Sequence, residues 1–291
     1  SASEVLKDYD KYPVEAFAHV FATRGCPYNC FFCGSREIWS RKVRFRSVEN
    51  VIREIKLLQE KGIGFIRFED DIFGINKRYL NKLCDALLRH CPGLRWSCEI
   101  HVKLVDEQNI SSMKRAGCSA IYIGIESGNN EMLKQIRKNY TIERALSACE
   151  IIKRHGIELH AFFMAGLPQE TEETLNDTLM AIKKIKCDRL IYSIFTPYPG
   201  TEAFAFCKAN GLIDDDYDVS LYHHQSPANC FCINITPERF RVIVSRLEKI
   251  VDRKNSLSLF KLLFAPSTYW RIKQLGIYRS FRKGMGMFIG K

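Results

Sequence analysis

No stretch of this 291-residue chain stays apolar for the roughly 20 residues of a membrane-spanning helix. That leaves no candidate for an integral helical membrane protein. The first residues, "SASEVLKDYDKYPVEAF", are charged and lack the apolar core of a secretory leader. There is no self-similar period, which excludes solenoids and propellers, and no low-complexity block. No G-x-G-x-x-G follows the first strand-like run, which argues against a dinucleotide site. Cysteine is present twelve times but too thinly for a disulfide scaffold, so most of these thiols are read as reduced and buried in a cytoplasmic protein. Acidic residues are missing altogether from Arg253 to Lys291, where Lys and Arg occur nine times within a net charge of +11. A basic, part-apolar tail of this kind suits a partner, an absent domain or an anionic membrane surface, which would accord with a lipid-like substrate.

Strand-like runs alternate with stretches of helical period. The runs 16–23, 65–70, 94–102, 120–126, 159–166 and 190–196 predict strands, and 48–62, 77–90, 106–117, 141–156 and 171–185 predict helices between them. A sixth helix is expected after Gly200. Strict alternation implies a parallel sheet with helical crossovers, either doubly wound or a complete or partial β/α barrel. Chemistry then belongs at the C-terminal ends of the strands. Polar and glycine-rich residues recur there: Cys26 to Cys33, Glu69-Asp70-Asp71, Glu126-Ser127-Gly128 and Gly166-Leu167-Pro168. After about residue 210 the alternation gives way to an irregular connection and an amphipathic helix over 237–254.

One stretch has no use in a plain barrel. "RGCPYNCFFCG" places Cys26, Cys30 and Cys33 in eight residues directly after the first strand. Thiolates bind soft metals and iron–sulfur clusters. On a four-iron cluster three cysteines would leave one iron open. Zinc would need a fourth ligand, and the nearest histidine, His19, lies within the preceding strand. Three buried thiols on a turn are the remaining reading.

With the cysteines taken together with "RFRS", "FEDDIF", "AGCSAIYIGIESG", "GLPQET" and "TPYPGT", the chain resembles, in this order over about residues 12–205, the radical S-adenosylmethionine enzymes, in the subgroup that often carries an N-terminal cobalamin-binding domain. The resemblance implies an α/β fold, a partial (β/α)6 TIM-like barrel over 16–210, with 1–15 as a linker from a missing N-terminal domain and 211–291 as a helical, basic extension. It implies a [4Fe–4S] cluster on Cys26, Cys30 and Cys33, with S-adenosylmethionine chelating the open iron. Reductive cleavage would give methionine and a 5′-deoxyadenosyl radical for methyl transfer or rearrangement in biosynthesis. Cobalamin would come with a domain not contained in this chain, and the electron from a flavodoxin- or ferredoxin-type donor.

Residue by residue, Phe32 matches the aromatic near the adenine. Glu69, Asp70 and Asp71 stand where the family binds the methionine amino group. Glu126, with Ser127 as alternate, matches the ribose ligand, and Gly166 a turn near the nucleoside. Phe162, Phe163 and Met164 would face the adenine, and Arg44 or Arg46 could hold the methionine carboxylate. The third strand departs from the family, with His101 where arginine is common. Cys230 and Cys232 read as ordinary thiols despite His223 and His224 nearby. Two other functions share the cysteine motif. A tRNA methylthiotransferase is disfavoured, as is nucleic-acid binding generally, because no second cysteine cluster and no aromatic-rich RNA-binding appendage is seen. The other is a non-catalytic iron–sulfur or zinc module.

Overall fold

The structure is a computed structural model that describes residues 14–221 and 229–263. Six parallel strands form one sheet: β1 (His19–Val20), β4 (Phe65–Phe68), β5 (Arg95–Ile100), β6 (Cys118–Glu126), β7 (Glu158–Ala165) and β8 (Arg189–Ile194). Their spatial order follows their chain order. A doubly wound sheet reverses direction at a switch point, whereas a β/α barrel does not. The monotonic order therefore selects the barrel. β1 and β8 are its two unpaired margins, which makes the barrel partial. Two features were not expected from sequence. β2 (Thr23–Arg24) and β3 (Arg44–Phe45) pair antiparallel and tie off the cysteine loop between them. A five-residue helix, α1 (Ser35–Trp39), lies inside that loop.

The helices start where the sequence supplies caps. Ser47, Asn76, Asp106, Thr141 and Thr171 each accept a backbone N–H at the starts of α2 (Val48–Glu60), α3 (Lys77–His90), α4 (Glu107–Arg115), α6 (Ile142–Arg154) and α7 (Glu172–Lys184). Each such cap is worth about 1 kcal/mol. A short α5 (Asn130–Gln135) precedes α6. α8 (Glu202–Ala209) is the helix expected after Gly200. The core lies between the strands and their helices. Leu159, Ala161, Phe163 and Ala165 of β7 are sealed, while Phe162 and Met164, on alternate positions, are half-buried and face a cavity.

α9 (Pro237–Leu263) covers the β8 margin. Phe240, Ile243, Val244, Leu247 and Val251 bury one stripe at helical spacing. Glu248 accepts the Tyr192 hydroxyl at 2.8 Å. Asn255 pairs with both backbone groups of Leu190, accepting its N–H at 2.8 Å and donating to its carbonyl at 2.9 Å. An exposed strand edge is thus satisfied by one amide side chain. The helix runs past the expected end at 254, to Leu263, and Lys254 docks as well, donating to the Ile182 and Lys183 carbonyls at 2.6 and 3.2 Å. No helix among the described residues is long and apolar enough to cross a membrane. The linker 1–15, His223 and His224, and the basic tail beyond Leu263 lie outside the described residues or their described side chains.

Candidate active site

The cysteine loop is shaped by the protein. Asp70 is buried and accepts Ala22 N–H at 2.8 Å, Thr23 N–H at 2.7 Å and the Thr23 hydroxyl at 2.6 Å. Asp71 accepts Gly25 N–H at 2.8 Å, Ser35 Oγ at 3.1 Å and Trp39 Nε1 at 3.2 Å. Gly25 has φ +97°, and a Cβ there would lie 2.0 Å from the Lys42 carbonyl oxygen, so no other residue fits. Arg41 donates twice to the Pro27 carbonyl, at 3.1 and 3.0 Å. Phe31 fixes the middle of the loop. Its N–H reaches the Ile136 carbonyl and its carbonyl takes Ala203 N–H, both at 3.2 Å, and its ring packs edge-on against Phe206.

The three cysteines open onto one cavity of about 370 Å³ at the C-terminal ends of the strands. Phe32, Asp71 and Glu126 line it with them. Phe162, Phe163 and Met164 line it too, whereas Glu69, Asp70, Ser127, Gly166, Arg44 and Arg46 do not. Asp70 spends its carboxylate on the backbone after β1. Glu69 turns into the barrel, 2.7 Å from His19 Nδ1 and 3.0 Å from Arg67 Nε. Ser127 is sealed, its hydroxyl 3.3 Å from that of Thr178 and accepting Asn129 N–H at 3.2 Å. Gly166 sits behind the cavity, where a Cβ would meet the Phe240 ring at 2.8 Å. Arg44 stacks on Trp39, and Arg46 is held by the Phe21 carbonyl, Asn50 and Glu54. Each of these side chains is engaged with the protein around the site.

The sequence reading missed Lys138. It is buried, its ammonium 2.9 Å from Glu126 Oε1 and 5.5 Å from the centre of the Phe32 ring, and it lines the same cavity. Left-handed Arg137 and Asn139 on either side turn it inward. Its burial opposes its charge, but Glu126, Tyr140 and Cys30 around it outweigh that and hold the ammonium above the ordinary lysine range. The one sequence signal was Gly124, a glycine inside a strand. A Cβ there would stand 2.4 Å from Glu126 Oε1 and 3.5 Å from Lys138 Nζ.

Burial raises the Cys26 thiol to about 11, and the neighbouring Cys30, Cys33 and Asp71 add to this. Cys30 is raised by burial too, with Lys138 pulling the other way. Loading any metal here releases protons. Among the described residues no three His, Cys, Asp or Glu side chains converge on a single ion. A cubane distributes its thiolates over different irons, so three cysteines on one cavity wall fit a cluster better than a mononuclear zinc. Those residues fit the implied group.

Behind the cavity, Glu170 is fully buried and accepts the N–H groups of Gly166 and Leu167 at 2.6 and 3.0 Å. Burial pushes its carboxyl up to about 8. A carboxyl raised in the fold contributes stability fully below the unfolded value near 4.5 and loses it as pH rises through 8. The wild-type urea midpoint should therefore fall between pH 6 and pH 9. Glu170→Gln, which keeps an acceptor for both N–H groups, should flatten that slope. An unchanged slope would place the titration elsewhere.

The geometry has counterparts among known proteins. The Radical SAM superfamily profile matches residues 20–182, more than half of the chain. An uncharacterised methyltransferase of Pyrococcus horikoshii is 34% identical over 211 residues, 72% of this chain and 46% of its own length. The anaerobic magnesium-protoporphyrin IX monomethyl ester cyclase of Rubrivivax gelatinosus is 30% identical, over 70% of this chain and 37% of its length. The chain thus spans less than half the length of these relatives. In fold it is similar to the radical S-adenosylmethionine methyltransferase TsrM of Kitasatospora setae, solved with cobalamin and a [4Fe–4S] cluster: TM-score 0.62, 19% identity, 68% of this chain and 41% of that one. It is also similar to coproporphyrinogen III oxidase of Escherichia coli: TM-score 0.56, 16% identity, 83% of this chain and 55% of that one. The cysteine loop, the monotonic six-stranded barrel and these matches together establish that the chain belongs to the radical SAM superfamily.

Proposed function

We propose that this chain is the radical-generating part of a biosynthetic enzyme that transfers a methyl group or rearranges an organic substrate. The observation that carries this is the shared cavity: three thiols, Phe32 and the Glu126–Lys138 pair on one wall system at the strand ends. Cys26, Cys30 and Cys33 would hold a [4Fe–4S] cluster. When bound, the cluster supplies one electron to the sulfonium of S-adenosylmethionine, which breaks a C–S bond and leaves methionine and a 5′-deoxyadenosyl radical.

The chain's own residues bind and orient. Asp71 and Arg41 hold the loop that presents the thiols. Phe32, Phe162 and Met164 offer apolar faces to a nucleobase. Glu126 keeps one oxygen on Lys138 and has the other for hydroxyl donors. Half-buried walls limit water, which would quench or misdirect radical chemistry. The methyltransferase and cyclase relatives support methyl transfer or rearrangement. The reading is completed by cobalamin, which the solved fold neighbour TsrM holds, carried by another part of the full-length protein, and by a low-potential flavodoxin or ferredoxin as electron donor.

The test is anaerobic reconstitution. About four irons per chain are expected. S-adenosylmethionine should change the EPR spectrum of the reduced cluster, and dithionite should yield 5′-deoxyadenosine. Iron uptake with neither effect would make the chain an electron carrier, and the proposal would fall.

A further inference from the structure

His101 follows β5 directly and begins the short 3-10 turn Val102–Leu104. Its Nδ1 accepts the Lys103 N–H at 3.3 Å. A ring that accepts through Nδ1 carries its proton on Nε2. Burial, reinforced by Lys138 and Lys103, lowers the ring's pKa to about 3, so it is neutral. The ring cannot swing away. It stacks on Tyr28, with centroids 4.0 Å apart and planes at 18°, and Tyr140 meets it edge-on at 5.3 Å.

The tautomer therefore fixes a donor, and that donor has no acceptor. Among the described residues, Nε2 is shut off from solvent without a hydrogen-bond partner. Several other buried polar atoms share that state, but of those residues only His101 lines the cysteine cavity. An orphan N–H in a buried wall is costly, and a merely structural histidine would be expected to bond it. Lys138 and Lys103 act on the ring as positive neighbours, while Asp71, Glu99 and Glu126 also line the cavity; an anionic acceptor is the strongest partner for a buried N–H.

We propose that His101 is a positioning residue whose Nε2–H donates to an anionic acceptor brought in with the cofactors, either a sulfur of the iron–sulfur cluster or the carboxylate of S-adenosylmethionine. The inference rests on the function proposed above. Both acceptors present the same chemistry, a buried anion short of donors, and experiment separates them. A donor to a cluster sulfur stabilises the reduced, more negative state and raises the potential. A donor to the carboxylate leaves the cluster alone and tightens cofactor binding.

The experiment compares wild type, His101→Phe and His101→Gln after anaerobic reconstitution. Phenylalanine keeps the stack on Tyr28 and removes the donor, while glutamine restores an N–H. Iron per chain is counted, the cluster potential is measured by EPR-monitored titration without S-adenosylmethionine, and affinity for S-adenosylmethionine is measured by equilibrium dialysis. Two results support the proposal: His101→Phe loads iron normally but has a more negative potential, or it keeps the potential and binds S-adenosylmethionine about tenfold more weakly. In either case His101→Gln should recover part of the loss. Unchanged potential and affinity in His101→Phe overturn it. Should that variant fold poorly, ¹⁵N-histidine spectra of the wild type decide, because the Nε2 signal missing from His101→Gln must move when the cluster or S-adenosylmethionine is added; a stationary signal overturns the proposal. A wild-type chain that takes up no cluster overturns the functional reading first.

Discussion

Cys30→Ala should abolish S-adenosylmethionine cleavage while leaving the iron-free chain folded. Cys30 is the middle thiol of the loop, partly buried, and its loss would remove one of three ligands to a cluster that has no spare thiol lining the cavity. Cluster uptake should drop below one per chain and 5′-deoxyadenosine should fall beneath detection. The fold should hardly notice, because the loop is not held by its cysteines. Asp71 grips Gly25, Arg41 grips Pro27, and Phe31 is bonded on both sides and packed on Phe206. Deleting one small, partly buried thiol costs about 1 kcal/mol, a shift of a few degrees in Tm. The readouts are iron and sulfide content, the visible spectrum, product by chromatography, and thermal melting of the iron-free protein. Cleavage at wild-type rates would mean that the thiol is no ligand. A collapse of the iron-free fold would mean that the loop is less preorganised than its hydrogen bonds indicate.

The elements themselves were legible because their signals are local. Strand runs and capped helices follow from period and from Ser, Thr, Asn and Asp at the right places; alternation left a doubly wound sheet and a barrel both open, the resemblance implied the barrel, and the monotonic strand order selects it. The thiols were legible for the same reason, lying within eight residues of chain. Side-chain direction was not. Glu69, Asp70 and Asp71 are consecutive, yet one faces into the barrel, one is consumed by the backbone after β1 and one clamps the cysteine loop. A one-residue step in an extended chain reverses the face, and the strand ends just there, at Phe68. Ser127 likewise follows left-handed Glu126, which turns the chain so that the serine meets Thr178 and the Asn129 N–H while the glutamate faces the cavity. Lys138 was hidden for a different reason. It stands in a connection between two helices, where lysine is ordinarily solvated, and only the three-dimensional approach of that connection to β6 and the cysteine loop gives it work.

Lys138→Met should be the most destabilising single change in the site. It strands the Glu126 carboxylate in a wall where its side chain is only 12% exposed. Removing one partner of a buried ion pair costs about 3–5 kcal/mol, because the remaining charge has lost its compensation. The carboxylate cannot turn away to water: Glu126 is held at φ +68° and its Oε1 lies over Gly124, too close for any Cβ. Glu126→Gln should cost less, since an amide oxygen still accepts from the ammonium, and the double variant Lys138→Met with Glu126→Gln should recover much of the single loss. That non-additivity, read from urea midpoints, is the signature of a coupled pair. The pH dependence follows from direction alone. Lys138 is held above the ordinary lysine value in the fold, so its contribution is complete below about 10.5 and is lost only as pH rises through the elevated value. Wild-type stability from this pair is thus level from pH 6 to pH 9. Iron loading should suffer separately, because Lys138 favours the thiolate of Cys30 and its removal takes away the main counterweight to burial there. Stability restored in the double variant without restored cluster uptake would show that the ammonium serves the thiol as well as the glutamate, whereas joint recovery of both would reduce Lys138 to a partner of Glu126.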